Sequence, residues 1–152
     1  MIREELKKHL VDAMKTKDDK KTATIRLINA AIKQKDIEAR PAGKTDGIDD
    51  AAILSLMQSM IKQRRESIDM YTKGGRTDLA AAEQAEIDII QTFLPKQMSE
   101  EEVRSAITEV IAQTGASSIK DMGKVMGALR SKYAGQMDFG NASTLIKEAL
   151  SA

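Results

Sequence analysis

Phe93-Leu94-Pro95-Lys96-Gln97-Met98-Ser99-Glu100-Glu101-Glu102 is the stretch on which the fold turns. Proline lacks an amide hydrogen and its ring clashes with the preceding helical turn, so Pro95 stops any helix that runs through Phe93. Ser99 and Glu102 then have the spacing of a capping box, a serine at the N-cap and a glutamate three residues on. One helix therefore ends and another begins within a few residues. The expected organisation is an N-terminal four-helix domain over residues 1–94 and a small three-helix domain over residues 95–152.

Upstream of this break the apolar residues recur at helical spacing. A first helix covers about sixteen residues, with Ile2, Leu6, His9, Leu10 and Ala13 on one stripe. Asp18 or Asp19 caps a second helix reaching Ala39, apolar on two sides. Ala23, Leu27, Ala30 and Ile37 form one side, and Ile25, Ile28 and Ile32 the other, so it is expected at the centre of a bundle. A turn-rich segment, Pro41 to Gly47, precedes a third helix capped by Asp49 or Asp50 and stopped by Gly74-Gly75. Thr77 or Asp78 starts the fourth. Downstream, Gly115 ends the fifth helix, Ser118 with Asp121 opens the sixth, and Asp138 caps a seventh carrying Phe139, Ala142, Leu145, Ile146 and Ala149.

Composition agrees with an all-α fold: aromatic residues make up 3%, there are only 2 prolines, and period-two apolar runs are scarce. The 152 residues contain no cysteine and one histidine, which excludes disulfides, thiol nucleophiles and a histidine cluster for zinc. Basic residues number 24 and acidic 23. Divided after Met98, the two parts carry +2 and −1, so any polyanion site must be a local patch. The N-terminus lacks the apolar core of a signal peptide and no run is long enough to span a membrane, so a cytoplasmic protein is expected.

Arg64 falls on the stripe Met57, Ile61, Ile68 and Tyr71 of the third helix, while Glu83 and Glu86 lie among Leu79, Ile90 and Phe93 of the fourth. A charge among apolar side chains needs a partner, so Arg64 is expected to pair with Glu86 or Glu83 and lock the two helices. The second candidate region is Met122-Gly123-Lys124-Val125-Met126-Gly127-Ala128-Leu129-Arg130. Each glycine costs a helix roughly 1 kcal/mol relative to alanine, so the pair asks for a reason. Close packing of a second helix and close approach of an RNA backbone both supply one. A phosphate-loop reading of Gly123-Lys124 fails, because the upstream glycine is Gly115 and Val125 follows the lysine. Lys62, Arg65, Lys73 and Arg76, and likewise Lys15, Lys17, Lys20, Lys21 and Arg26, are interleaved with acids and read as solvated faces. No catalytic residue, cofactor or metal ligand can be named, and His9 reads as a packing residue.

Arg26-Leu27-Ile28-Asn29-Ala30-Ala31-Ile32-Lys33, Ile61 through Ile68, Gly75-Arg76-Thr77-Asp78-Leu79-Ala80, Glu83 through Ile87, Phe93-Leu94-Pro95 and Met122 through Met126 together resemble the GatB/YqeY family. That family supplies the C-terminal tail of the B subunit of tRNA-dependent Asp/Glu amidotransferase. The resemblance implies a helical domain followed by a three-helix tail, and a tail that holds tRNA while chemistry happens elsewhere. On that footing the chain is a non-catalytic, tRNA-associated module. Gly123 and Gly127 would allow close approach, and Lys124, Arg130 and Lys132 would contact phosphates. Family tails carry Gly-Arg/Lys-Ala-Asp/Asn before the last helix, whereas here Gly135-Gln136-Met137-Asp138 lacks the basic residue. The alternative is a module whose Met-bearing surface docks an aminoacylation or amidotransferase-related protein. A component of glutamine-dependent carbon–nitrogen ligase activity ranks last.

Overall fold

A hairpin of two helices opens the chain in the computed structural model, which describes residues 1–151. Helix α1 (Ile2–Lys15) ends where the Thr16 hydroxyl donates to the Asp12 carbonyl at 3.0 Å. Asp18 then caps α2 (Asp19–Ala39) by accepting the Lys21 amide at 3.1 Å. A 3-10 turn at Arg40–Ala42 leads to Asp49, whose carboxylate accepts from Ala52 and starts α3 (Asp50–Lys73). Gly74 and Gly75 stop α3, and α4 (Thr77–Gln91) returns along it. No strand occurs among the described residues.

Contacts divide the chain into two compact units, the first Met1–Leu94 and the second from Pro95 onward. In the first, Leu6, Ile25, Ile28, Ile53, Met57, Ile87 and Ile90 are fully buried, joined by Ile32, Met60, Ile61 and Phe93. His9 meets Phe93 edge-on, with ring centroids 5.1 Å apart. Helix α2 touches α1, α3 and α4, but the burial expected on both of its sides is corrected here. Only the side bearing Thr24, Ile25, Ile28 and Ile32 is buried; Ala23, Leu27, Ala30 and Ile37 face solvent. Apolar periodicity marks a face that would gain from cover, but does not say that the same chain covers it.

One polar clasp of this unit has no local sequence signature. Arg3 of α1 donates through both terminal nitrogens to Asp36 of α2, at 2.9 and 2.7 Å, and to the Ile48 carbonyl at 2.9 Å. Asp36 also accepts the Ile48 amide at 2.8 Å. Gly47 passes this clasp at φ +93°, and a Cβ there would lie 2.7 Å from Asp36 Oδ1. Both the backbone and the space therefore demand glycine. The Arg3 hydrogen bond, then that from Ile48, holds the Asp36 carboxyl down at about 2. A depressed folded-state pKa stabilises the fold above the ordinary carboxylate range, and that contribution is lost as pH falls toward the folded value. Acid titration followed by circular dichroism is therefore expected to show the chain losing stability between about pH 4 and pH 2, with an Asp36→Asn variant, less stable at neutral pH, losing less over that window.

The second unit is built from α5 (Glu100–Thr114), α6 (Met122–Tyr133) and α7 (Phe139–Ser151). Both halves of the Ser99–Glu102 capping box form, each at 3.2 Å. Gly115 takes the left-handed conformation at φ +68° that ends α5. Val103, Ala106, Ile107, Val110, Val125, Leu129, Met137, Ala142, Leu145 and Ile146 make the core. Ala149, expected on the inward stripe of α7, is exposed, and Leu150 packs against the core instead.

Candidate nucleic-acid interface

Helix α6 begins one short turn later than its sequence signal. Ser118 starts a 3-10 turn, Ile119–Asp121, before the helix proper. The Asp121 carboxylate accepts the amides of Ser117 at 3.0 Å and Ser118 at 3.3 Å. Those bonds, helped by the charge of Lys124, hold its pKa below the usual carboxylate value. The carboxylate also stands at the positive end of the α6 dipole, which favours its charge.

Inward, α6 places Val125 and Leu129 in the core, with Met122, Met126, Ala128 and Tyr133 packed against it. The methionines of this helix therefore serve packing. Outward, Gly123, Lys124, Gly127 and Arg130 are exposed. A Cβ added at Gly123 or at Gly127 would meet nothing within 4 Å. Close packing of a second helix of the chain is thus not the reason for either glycine.

The three basic candidates each have an internal neighbour. Lys124 Nζ donates to the Thr114 carbonyl at 3.0 Å, satisfying an orphan acceptor at the end of α5. The Arg130 guanidinium lies 5.8 Å from the Phe139 ring centroid. Lys132 Nζ is 3.6 Å from Glu109 and 5.9 Å from the Tyr133 ring centroid. Exposed partners of this kind contribute little, so a phosphate can compete for the same cations. Lys124 and Arg130 flank the open glycine side, whereas Lys132 leans toward α5.

Gln136 sits in a backbone seam that the sequence does not announce. Its carbonyl accepts the Met98 amide at 2.8 Å, and the neighbouring Gly135 carbonyl accepts from the Gln97 side chain at 2.6 Å. Met137 beside it is buried in the core. The segment that departs from the resemblance thus ties the entry to α5 against the α6–α7 turn.

In the first unit, Arg64 Nε donates to Glu86 Oε2 at 2.7 Å, with Glu83 at 4.0 Å, and Nη1 donates to the Met60 carbonyl at 3.1 Å. The Arg64 side chain is 14% exposed and bridges α3 and α4. This arrangement satisfies a half-buried charge, and nothing about it requires a ligand. No group of three or more histidine, cysteine or acidic side chains among the described residues could hold a metal ion. No described helix is long and apolar enough to cross a membrane.

The match to the Yqey-like protein family covers residues 3–150. The chain belongs to that family. Among curated relatives, Altered inheritance of mitochondria protein 41, mitochondrial, from Eremothecium gossypii is 42% identical over 89 residues, which is 59% of this chain and 46% of that protein. The protein of the same name from Vanderwaltozyma polyspora is 34% identical over 123 residues, 77% of this chain and 64% of its own length. The one from Lachancea thermotolerans is 36% identical over 115 residues, 74% and 59% respectively. The chain thus spans less than two thirds of each of these relatives. Their names are mitochondrial, which overturns the cytoplasmic expectation drawn from the N-terminus.

Proposed function

We propose that this Yqey-like protein is a non-catalytic accessory module that touches the backbone of tRNA along the outward side of α6. The observation that carries this reading is the open glycine pair. Gly123 and Gly127 leave helix backbone bare where the chain itself puts nothing, with Lys124 and Arg130 exposed beside them. A sugar–phosphate chain could approach there more closely than any side chain would allow, and the cations would neutralise it. The two compact units are, on the same reading, separate domains, residues 1–94 with four helices and residues 95–152 with three.

Titration of total tRNA into the chain at rising salt tests the reading. With Lys124, Arg130 and Lys132 as the phosphate contacts, the log–log slope of affinity against salt is expected at about −2 to −3. Arg130→Ala should reduce that slope by about one unit, uniformly across tRNA species. Lys124→Ala should act likewise, with circular dichroism as a check because this lysine also caps α5. Absent binding, or binding unchanged in a chain carrying both Lys124→Ala and Arg130→Ala, overturns the site.

A further inference from the structure

The outward face of α2 combines two features that do not belong on an idle surface. Its apolar stripe is uncovered: Leu27 is 45% and Ile37 43% exposed, with Ala23 and Ala30 exposed on the same side. Exposed Lys20, Arg26 and Lys33 border that stripe, and none of the three is engaged in an ion pair among the described residues. Of the two exposed acids that also border it, Glu38 is paired with Lys35 at 3.3 Å and Asp19 stands in the first turn. Elsewhere on the same helix the rule is different, since Asp36 pairs with Arg3. Leu27 stands between the short side chains of Ala23 and Ala30, and Ile37 lies two turns beyond Ala30 with exposed Gln34 between them. The relief is an apolar knob between two dips, then the polar Gln34 and a second apolar knob, a ridged surface of the kind another helix packs against.

We propose that this face docks an acidic amphipathic helix of a partner protein, whose apolar stripe covers Leu27 and Ile37 and whose carboxylates meet Lys20, Arg26 and Lys33. Charge complementarity selects this occupant. A second copy of the chain would set two positive faces together. A nucleic-acid backbone would bury Leu27 and Ile37 beneath phosphates that gain nothing from them. A lipid surface would receive only two large side chains, neither aromatic, which is a poor anchor. The proposal rests on α2 alone, so its fate is separate from that of the α6 reading.

Site-specific crosslinking tests it. The full chain carrying photoreactive benzoylphenylalanine at Leu27, with the same residue at exposed Ser59 as control, is irradiated in the cells that produce the protein. The adduct peptide is then sequenced. The expected product is an RNase-resistant adduct to another protein, at a segment with apolar residues at helical spacing flanked by Asp and Glu. Arg26→Glu with Lys33→Glu should lower its yield on the order of tenfold, because like charges would then face one another. Retained helix content in that variant establishes that the fold is intact. Adducts to lipid, to RNA, to a second copy or to another part of the chain overturn the proposal. So does a partner segment without acidic flanks, or a yield no greater than at Ser59.

Discussion

Ile28→Ala is expected to lower the stability of residues 1–94 by about 3 kcal/mol and leave the unfolding of the second unit where it was. Ile146→Ala should do the reverse. Both side chains are fully buried, Ile28 in the core of the first unit and Ile146 in that of the second. Removing three buried carbons from either leaves a cavity whose cost falls on the contacts around it. The two cores share no residue, so each variant removes contacts from one core alone. Differential scanning calorimetry of the whole chain should resolve two transitions, each variant moving one of them. A single transition that both variants shift equally would show that the units unfold as one, and the two-domain reading would fall.

The elements that the sequence announces are those whose cause is local. Ser99 and Glu102 cap each other across three residues, and Asp49, Gly75 and Gly115 act within a turn of where they stand. Arg64 could be singled out for a related reason, because a guanidinium on an apolar stripe is an anomaly that needs a carboxylate nearby. The Arg3–Asp36–Ile48 clasp is different. Its members lie 33 and 45 residues apart, and an arginine or aspartate on an exposed helix carries no mark of its partner. The Lys124 cap of Thr114 is illegible likewise, since it depends on how the loop between α5 and α6 folds back.

Helix α2 shows where a pattern reaches its limit. Its two apolar sides are plain in the sequence, and from them a bundle centre follows only if this chain supplies both neighbours. The structure packs α2 against α1, α3 and α4 yet buries only one of its sides. What the sequence encodes on the Leu27 side is an affinity for cover, and the three cations around it give that affinity a sign.

The glycine pair of α6 should respond in two opposite directions to one change. Gly123→Ala with Gly127→Ala is expected to raise the stability of the second unit by about 1–2 kcal/mol, because alanine is the better helix former and each new methyl group enters open space. Gly127 lies in the helix interior and should provide most of the gain, while Gly123 lies in the first turn, where less is at stake. The same methyl groups would stand off an approaching sugar–phosphate chain. Affinity for tRNA should therefore fall as stability rises, with the salt slope unchanged because Lys124, Arg130 and Lys132 remain. Chemical denaturation and tRNA titration of the one double variant measure both effects. Higher stability with undiminished binding would remove the glycines from the interface and leave the cations to stand alone. A loss of stability would mean that α6 depends on its glycines in a way that open space around them does not predict.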